Sequence, residues 1–206
     1  MSPIHESSDE AARDSWTIRP LGPETWDAFA ALAEKHNGVW GGCWCNWFHR
    51  TAEELPQIRG RDRDYKEDRV RAGTAHAALV LDGEVAIGWA EYGPPEELPN
   101  LHHRKEYLRT ADTLPDYRIT CLFVDRDHRR EGVARRAAEG AVSLIAAAGG
   151  GVVECYPHDL PPGTKKSASF LYNATRSMYE SLGFTYDRPK GLGNCVMRRT
   201  VPAATT

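Results

Sequence analysis

The stretch RITCLFVDRDHRREGVA, residues 118–134, is the part of the sequence that decides the fold. Residues 118–124 form a strongly apolar run, which is typical of a strand buried in the middle of a sheet. Six polar residues follow, and over residues 131–148 apolar side chains recur at the spacing of one helix face. A buried strand that leads through a basic loop into a long helix predicts a sheet covered by helices.

The segments on either side predict a mixed sheet of the α/β class. Residues 75–81 and 84–92 flank Asp82-Gly83, a two-residue turn signal that predicts a hairpin. The other predicted elements are strands at 16–21, 152–156, 184–186 and 195–199, helices at 23–36, 62–72 (charged and exposed) and 167–182, and a helix-containing insertion at 94–114. Residues 195–199 are expected to close the sheet as its last strand, where an exposed edge could pair two protomers.

The loop before the long helix has the composition of an anion site. The free N–H groups of a helix's first turn converge, and the helix dipole adds positive potential there. Gly132 and Ala134 keep this turn small enough for a diphosphate to approach the backbone. Arg129, Arg130 and Arg135 supply positive charge around it. The sequence contains neither of the two common glycine-rich nucleotide motifs.

Two motifs resemble the GNAT acyltransferase superfamily. Val124-x-x-x-x-Arg129-x-x-Gly132-x-Ala134 resembles its acetyl-CoA pyrophosphate loop, and MYESLGF at 178–184 is similar to the signature that ends its last major helix. The resemblance covers residues 118–186 and implies an α/β fold with a GNAT-like mixed, mostly antiparallel twisted sheet flanked by helices. The Trp- and Cys-rich segment at 38–49, taken with residues 154–157, is similar to a bacterial sub-group of these proteins.

The resemblance also implies roles for individual residues. Tyr179 would lie beside the thioester sulfur and protonate the departing CoA thiolate. The Asn that the superfamily often places seven residues earlier is Tyr172 here, and Asn173 is one step off. The implied acetyl-CoA ligands are a strand backbone that pairs with pantetheine and a loop that holds the diphosphate, namely Leu122, Phe123, Val124, Arg129, Arg130, Glu131, Gly132, Val133, Ala134 and Arg135.

A general base is also needed, because an amine attacks a thioester only in its neutral form. Glu154 is the first candidate, since its apolar neighbours in sequence would raise the pKa of its carboxyl toward neutrality. The alternative for Glu154 is a structural ion pair with an Arg of a neighbouring helix. Glu91 and His158 are weaker candidates for the base.

The Gly-rich segment at 38–49 is expected to wall the acceptor site, because aromatic faces enclose a pocket and attract ammonium groups. The substrate-binding residues assigned to this site are Trp40, Trp44, Trp47, Glu91 and Tyr156. The alternative is that the three Trp side chains pack in the core. No metal is expected, because a single residue separates Cys43 from Cys45, whereas structural zinc sites favour cysteines with two to four residues between them.

Composition excludes several classes of protein. The 29 acidic and 26 basic residues among 206 give a formal net charge of −3, which argues against a nucleic-acid binder. No apolar run approaches the roughly 20 residues needed to span a membrane, and residues 1–15 lack the features of a secretory signal. The five cysteines require no disulfide framework. We expect a cytoplasmic bacterial protein with a disordered tail at 1–15, one domain at 16–200 and a flexible tail at 201–206.

These expectations combine in one functional hypothesis. The chain is predicted to be an acyl-CoA-dependent N-acyltransferase that moves an acetyl group from acetyl-CoA to a primary amine of a small molecule. The amine would attack directly in a ternary complex. The alternatives are a protein or peptide N-acetyltransferase and a non-catalytic acyl-CoA-binding regulatory module; a homodimer is compatible with all three.

Overall fold

The computed structural model describes residues 15–160 and 172–205. In this part of the chain seven strands form one sheet in the order β1-β2-β3-β4-β5-β7-β6. The strands are β1 (Thr17–Pro20), β2 (His76–Asp82), β3 (Val85–Gly93), β4 (Tyr117–Val124), β5 (Gly151–Cys155), β6 (Thr185–Lys190) and β7 (Asn194–Val201). Only β4 and β5 are parallel among the described pairs, so the prediction of a mixed, mostly antiparallel sheet is confirmed.

Helices cover both faces of the sheet. The described helices are α1 (Trp26–Lys35), α2 (Leu55–Ile58), α3 (Asp62–Arg71), α4 (Arg104–Thr110), α5 (Val133–Ala147) and α6 (Arg176–Glu180). The face of α5 that packs on the sheet carries Val133, Ala137, Ala141 and Ile145, all buried and spaced four residues apart. On the opposite face α1 buries an aromatic stripe against β3. None of these helices is long and apolar enough to cross a membrane.

Three predicted boundaries differ from the structure. Asp82 pairs with Val85, so the hairpin loop is Gly83-Glu84, one position later than predicted. The predicted helix at 167–182 is too long: its described part is helical only over Arg176–Glu180, and its first five residues lie outside the described residues. The helix starts there because Ala174 has a φ of 56° and the Thr175 hydroxyl accepts a hydrogen bond from Met178 N–H.

The predicted edge strand at 195–199 is wrong. It belongs to β7, which lies between β5 and β6, so the edges of the described sheet are β1 and β6. Both sides of β7 are therefore already hydrogen-bonded within the chain. The suggested pairing of protomers through residues 195–199 loses its basis.

The middle of the sheet opens where the chemistry is expected. β4 and β5 pair only over Tyr117–Ile119 and Val153–Cys155, and β4 then continues to Val124 beyond that pairing. Next to the point of separation β4 bulges, because Thr120 and Cys121 together oppose the single residue Glu91 on β3. Because β4 and β5 diverge beside this bulge, backbone groups of β4 are directed into the gap between the two strands.

Candidate active site

The first cavity lies where β4 ends and α5 begins. Its volume is about 630 Å³. The lining residues are Trp40, Leu122, Phe123, Val124, His128, Arg129, Arg130, Gly132, Val133, Ala134, Arg135 and Met178. Nine of the ten residues predicted to bind acetyl-CoA line this cavity; the exception is Glu131, whose carboxylate accepts from His128 Nδ1 at 3.0 Å.

The backbone at the start of α5 points donors into this cavity. Gly132 is the N-cap with a φ of 96°, a conformation that a glycine adopts without strain. It has no side chain to cap the first turn of the helix, so the first N–H groups of α5 are left for another acceptor. Together with the three nearby arginines they form a positively charged cradle of the size that a diphosphate needs.

The loop between β4 and α5 is held in place from α1. Asp125, at the end of β4, accepts hydrogen bonds from Lys35 Nζ at 2.6 Å, from His36 Nε2 at 3.2 Å and from Asp127 N–H at 3.1 Å. Burial alone would raise the pKa of Asp125, but these donors outweigh it and lower the pKa below its usual range. The carboxylate is therefore ionised at neutral pH and fixes the loop. Sequence reasoning missed this anchor because its partners are about 90 residues apart.

The second cavity lies on the other side of Trp40 and has a volume of about 390 Å³. Its lining residues are Trp40, Cys43, Cys45, Trp47, Phe48, Arg50, His102, Cys121 and Tyr172. The Trp40 ring stands edge-on to Phe123 and to Tyr172, at centroid distances of 6.0 and 5.9 Å. Because Trp40 lines both cavities and Cys121 adjoins Leu122 on β4, the two cavities meet at the bulged half of that strand.

The segment 37–45 shapes this second cavity through an unusual backbone. Eight of its nine residues have φ between 45° and 90°, and Cys43 is the exception. A Cβ on Gly38 would lie 2.6 Å from Trp44 Nε1, so Trp44 can fold back over this position only because it is a glycine. The thiols of Cys45 and Cys121 touch, with their sulfur atoms 2.7 Å apart.

The three Trp residues predicted to wall the acceptor site lie in different places. Trp40 and Trp47 line the second cavity, whereas Trp44 stacks on Trp26 in the core at a centroid distance of 6.1 Å. Core packing, the alternative for these side chains, applies to Trp44. Tyr156 is buried as well and lines neither cavity.

Tyr179 lies in the interior, close to where β4 and β5 separate. Its side chain is 1% exposed, and its hydroxyl has no hydrogen-bond partner among the described residues. Burial raises the pKa of Tyr179 well above its usual value, and the nearby Cys155 and Cys121 add to this effect. The hydroxyl is therefore protonated at neutral pH. A buried hydroxyl without an acceptor costs free energy unless a ligand supplies one.

The Glu154 side chain, on β5, is enclosed in a buried polar network. Its Oε2 accepts from Tyr107 at 2.6 Å and from Tyr156 at 3.0 Å, and Oε1 lies 3.1 Å from Arg198 Nε. The ion-pair alternative describes this environment, except that the Arg comes from strand β7 rather than from a helix. Glu154 lines neither cavity. His158, a weaker candidate for the base, is also buried and joins residues 175 and 194 through backbone bridges.

Glu91 is at the centre of a buried charge cluster that the sequence did not reveal. Lys66 Nζ donates to its Oε1 at 2.8 Å and Thr120 Oγ1 donates to its Oε2 at 2.8 Å, while His49 Nε2 lies 3.1 Å from Oε1. Burial by itself raises the pKa of Glu91, but Lys66 and His49 outweigh it and hold that pKa at about 2. The carboxylate is ionised, and the positive charge of Lys66 balances it. Lys66 is buried, which corrects the expectation that α3 is exposed throughout.

His102 is the titratable group in the second cavity that sequence reasoning missed. It comes from the insertion at 94–114 and stacks on Trp47 with a centroid distance of 3.9 Å and an interplanar angle of 17°. Burial lowers the pKa of His102 below 6.5, and the charges of Lys190 and His103 lower it further. The imidazole is therefore neutral at pH 7 and can accept a proton. The only sequence signal was a pair of adjacent His residues in that insertion.

The described residues contain no cluster of His, Cys, Asp or Glu that could hold a metal ion. The groups in and next to the two cavities include an anion-binding helix start, a neutral imidazole and, on the residue after Met178, a buried protonated phenol. These groups suit the transfer of a group from a phosphate-bearing carrier to a nucleophile.

Comparison with known proteins agrees with this fold. Among solved structures, a GNAT-family protein from Desulfovibrio desulfuricans is 18% identical, with 90% of this chain and 99% of that chain covered and a TM-score of 0.51. YncA from Salmonella typhimurium, solved with its cofactor acetyl-CoA, is 16% identical, with 93% and 97% covered and a TM-score of 0.50. A structure of histone acetyltransferase HPA2 and related acetyltransferase from Corynebacterium glutamicum is 14% identical, with 93% and 98% covered and a TM-score of 0.50.

At these identities the structural likeness shows the fold. No curated protein matches the sequence. A family model does match: that of the acetyltransferase (GNAT) family, over residues 42–161, which is more than half of the chain. The chain therefore belongs to the GNAT family of acyl-CoA-dependent N-acyltransferases.

Proposed function

We propose that this protein transfers an acetyl group from acetyl-CoA to a primary amine of a small molecule, by direct attack in a ternary complex. The observation that carries the proposal is the meeting of two cavities at the bulged half of β4. One cavity has the charge and backbone donors for a diphosphate. The other is small and has aromatic walls, and Tyr179 is buried near Cys121 without lining either cavity.

The donor side of the site would be formed by β4 and α5. The first-turn N–H groups of α5, with Arg129, Arg130 and Arg135, would bind the diphosphate. The Leu122 N–H points away from β3, and by strand alternation the Val124 N–H points the same way. Leu122 donates to the Tyr172 carbonyl at 2.7 Å. Val124 is therefore the first backbone donor that a pantetheine amide would use, and Leu122 becomes a second donor if Tyr172 moves.

Tyr179 would act as the general acid. When the C–S bond of the thioester breaks, the electron pair stays on sulfur, and the Tyr179 O–H can donate its proton to that thiolate. Its raised pKa keeps the proton available at neutral pH. An unpartnered, fully buried hydroxyl favours this role over one in which Tyr179 only packs in the core.

His102 would accept the proton that the amine releases. It lines the second cavity, and burial lowers the pKa of its imidazole, so it is neutral and can accept a proton. Glu154 is buried in its own network and Glu91 is neutralised by Lys66, so neither carboxylate is free to take this proton. The base therefore comes from the insertion at 94–114 rather than from the sheet.

A small acceptor is favoured over a protein or peptide. The second cavity is close to the lower end of the range for small-molecule sites, and Trp40 and Trp47 close two of its sides. The unpartnered Tyr179 hydroxyl likewise favours an enzyme over a non-catalytic acyl-CoA-binding module, since a module that only binds needs no proton donor there.

Calorimetric titration with acetyl-CoA tests the donor side. Gly132→Glu places a negative charge at the start of α5, and Gly132→Gln is the matched control with the same strain and nearly the same size. At an effective dielectric of about 20, one like charge about 5 Å from a phosphate costs about 3 kcal/mol, or on the order of 100-fold in affinity. Equal losses in both variants, or no binding by folded wild type, would overturn the proposal.

A further inference from the structure

We infer that the acceptor amine also carries a carboxylate, as an amino acid with a flat apolar side chain does, and that Arg50 binds this carboxylate. The inference rests on the proposed function and specifies its substrate class. Arg50 follows directly after the aromatic segment and lines the second cavity with its side chain partly exposed.

The permanent charge on the lining of this cavity is positive. Arg50 is the only permanently charged side chain among the described residues that line it. Burial raises the pKa of Cys43 to about 11, and burial raises the pKa of Cys121 well above its usual value, so these thiols are uncharged at neutral pH. His102 is neutral for the reasons given above. An anionic group entering the cavity therefore meets a guanidinium and no opposing charge on the lining.

A ligand carrying only an ammonium group would find no counter-ion there. The described lining contains no carboxylate. Glu91, the acidic residue behind Cys45 and Cys121, is occupied by Lys66 at 2.8 Å. Aromatic faces alone would attract the ammonium, and they do so weakly when partly exposed to water.

The guanidinium of Arg50 has donors to spare. Among the described residues its partner is Asp62, with Nη1 3.4 Å from Oδ1, near the limit of a hydrogen bond. A guanidinium has five N–H donors in a planar fork that matches a carboxylate in bidentate geometry. Asp62 orients this fork from the first residue of α3, and the neighbouring Asn46 amide donates to the Asp62 carbonyl at 2.7 Å. The loop and α3 thus hold Arg50 in a fixed position.

The rest of the cavity fits a flat apolar body. Trp47 forms one wall with His102 stacked on it, and Phe48 is edge-on to Trp47 at 4.9 Å. Because the amine and the carboxylate of an amino acid share one carbon atom, a ring against these walls would leave both groups at the same end, for His102 and Arg50 of the same lining to bind. The volume of about 390 Å³ is in the range for a ligand of that size.

Matched pairs of acceptors test the inference. Phenylalanine and phenethylamine, tyrosine and tyramine, and tryptophan and tryptamine differ only in the carboxylate. We expect kcat/KM, measured by release of free CoA thiol, to favour the carboxylate member by at least about 10-fold, the value of a hydrogen bond to a charged group. Arg50→Gln should remove this preference by lowering the rate with the amino acids alone. Arg59→Gln, a change at an exposed arginine outside the cavity, should leave the preference intact.

Two outcomes overturn the inference: amines that react as well as their amino acids, and an Arg50→Gln variant that impairs both members of each pair equally. Binding followed by tryptophan fluorescence in the presence of CoA gives a readout that does not require turnover. If the amino acids bind selectively and no acetyl transfer follows, the proposed function fails and the ligand class stands. If no member of any pair binds or reacts, the ligand class fails, while titration with acetyl-CoA still decides the donor side.

Discussion

Replacing Glu91 by Gln tests the buried charge cluster that supports the second cavity. The substitution keeps the size of the side chain and its contact with Thr120, but it removes the negative charge 2.8 Å from the Lys66 ammonium. Lys66 is 1% exposed and cannot reach water without a rearrangement. Its ammonium also lies 3.5 Å from the carbonyl of Cys45, so such a rearrangement would disturb the wall of the cavity.

Two arguments give the size of the effect. Removing one partner of a buried ion pair costs about 3–5 kcal/mol of stability, because the other charge is left without compensation. Independently, the pKa of Glu91 falls from an ordinary value of 4.5 to about 2 on folding. At about 1.4 kcal/mol per pH unit this corresponds to about 3 kcal/mol. We therefore expect Glu91→Gln to lower the free energy of unfolding by about 3 kcal/mol at pH 7.

Urea unfolding followed by tryptophan fluorescence and circular dichroism measures this change. The double variant Lys66→Met, Glu91→Gln removes both charges and should be more stable than Glu91→Gln alone. A loss below about 1 kcal/mol for the single variant, or a double variant less stable than the single one, would refute the reasoning. The dependence on pH is a second check. Because the folded pKa of Glu91 is depressed, its contribution is fully present above pH 4.5 and is lost as the pH falls toward 2, and the variant should lack this slope.

Four further predictions concern the site. Tyr179→Phe should lower kcat by at least about 100-fold and leave the affinity for acetyl-CoA unchanged, without lowering the unfolding free energy, because the buried hydroxyl has no partner to lose; unaltered turnover would remove its assigned role. The wild-type rate should rise with pH through a midpoint below 6.5, since the imidazole of His102 must be neutral, and His102→Gln should abolish that limb; an identical profile in the variant would exclude His102 as the base. Trp44→Ala should cost about 3–5 kcal/mol of stability in urea unfolding, as for other buried aromatic side chains, and a smaller cost would contradict its core position. Trp40→Ala, at a partly exposed side chain, should cost much less stability and instead raise the KM values for both substrates, and unchanged KM values would show that it does not divide the cavities.

The parts of the fold that the sequence predicted depend on local signals. The apolar run of β4, the basic loop and the apolar stripe of α5 are adjacent in the chain, so periodicity and helix-start chemistry suffice to predict them. The cavity at the start of α5 follows from the same residues. The overlong helix predicted at 167–182 also has a local cause. Thr175 is a residue type that caps the start of a helix, but the prediction extends the helical spacing of the residues after Thr175 to the residues before it.

The arrangements that the sequence did not predict depend on contacts between distant segments. Nothing near Lys66 in the sequence indicates that Glu91 will neutralise it, and the choice of an inward Trp44 over an outward Trp47 depends on the backbone of residues 37–45. The apolar neighbours of Glu154 in sequence favour a general base, but strand β7 and helix α4 supply its polar partners. Propensity and spacing carry no information about such pairings.

The left-handed backbone of residues 37–45 affects the order in which parts of the molecule unfold. Five of its residues with positive φ are not glycine, and each such residue costs about 1–2 kcal/mol that the surrounding packing must offset. Amide hydrogen exchange should therefore be fastest in this segment and slowest in β4 and α5. Neither β4 nor α5 contains a residue at positive φ. Mild denaturant or warming would then open the segment 37–45 and the second cavity while β4 and α5 are still folded. A protein in that partly opened state would bind acetyl-CoA and leave it untransferred.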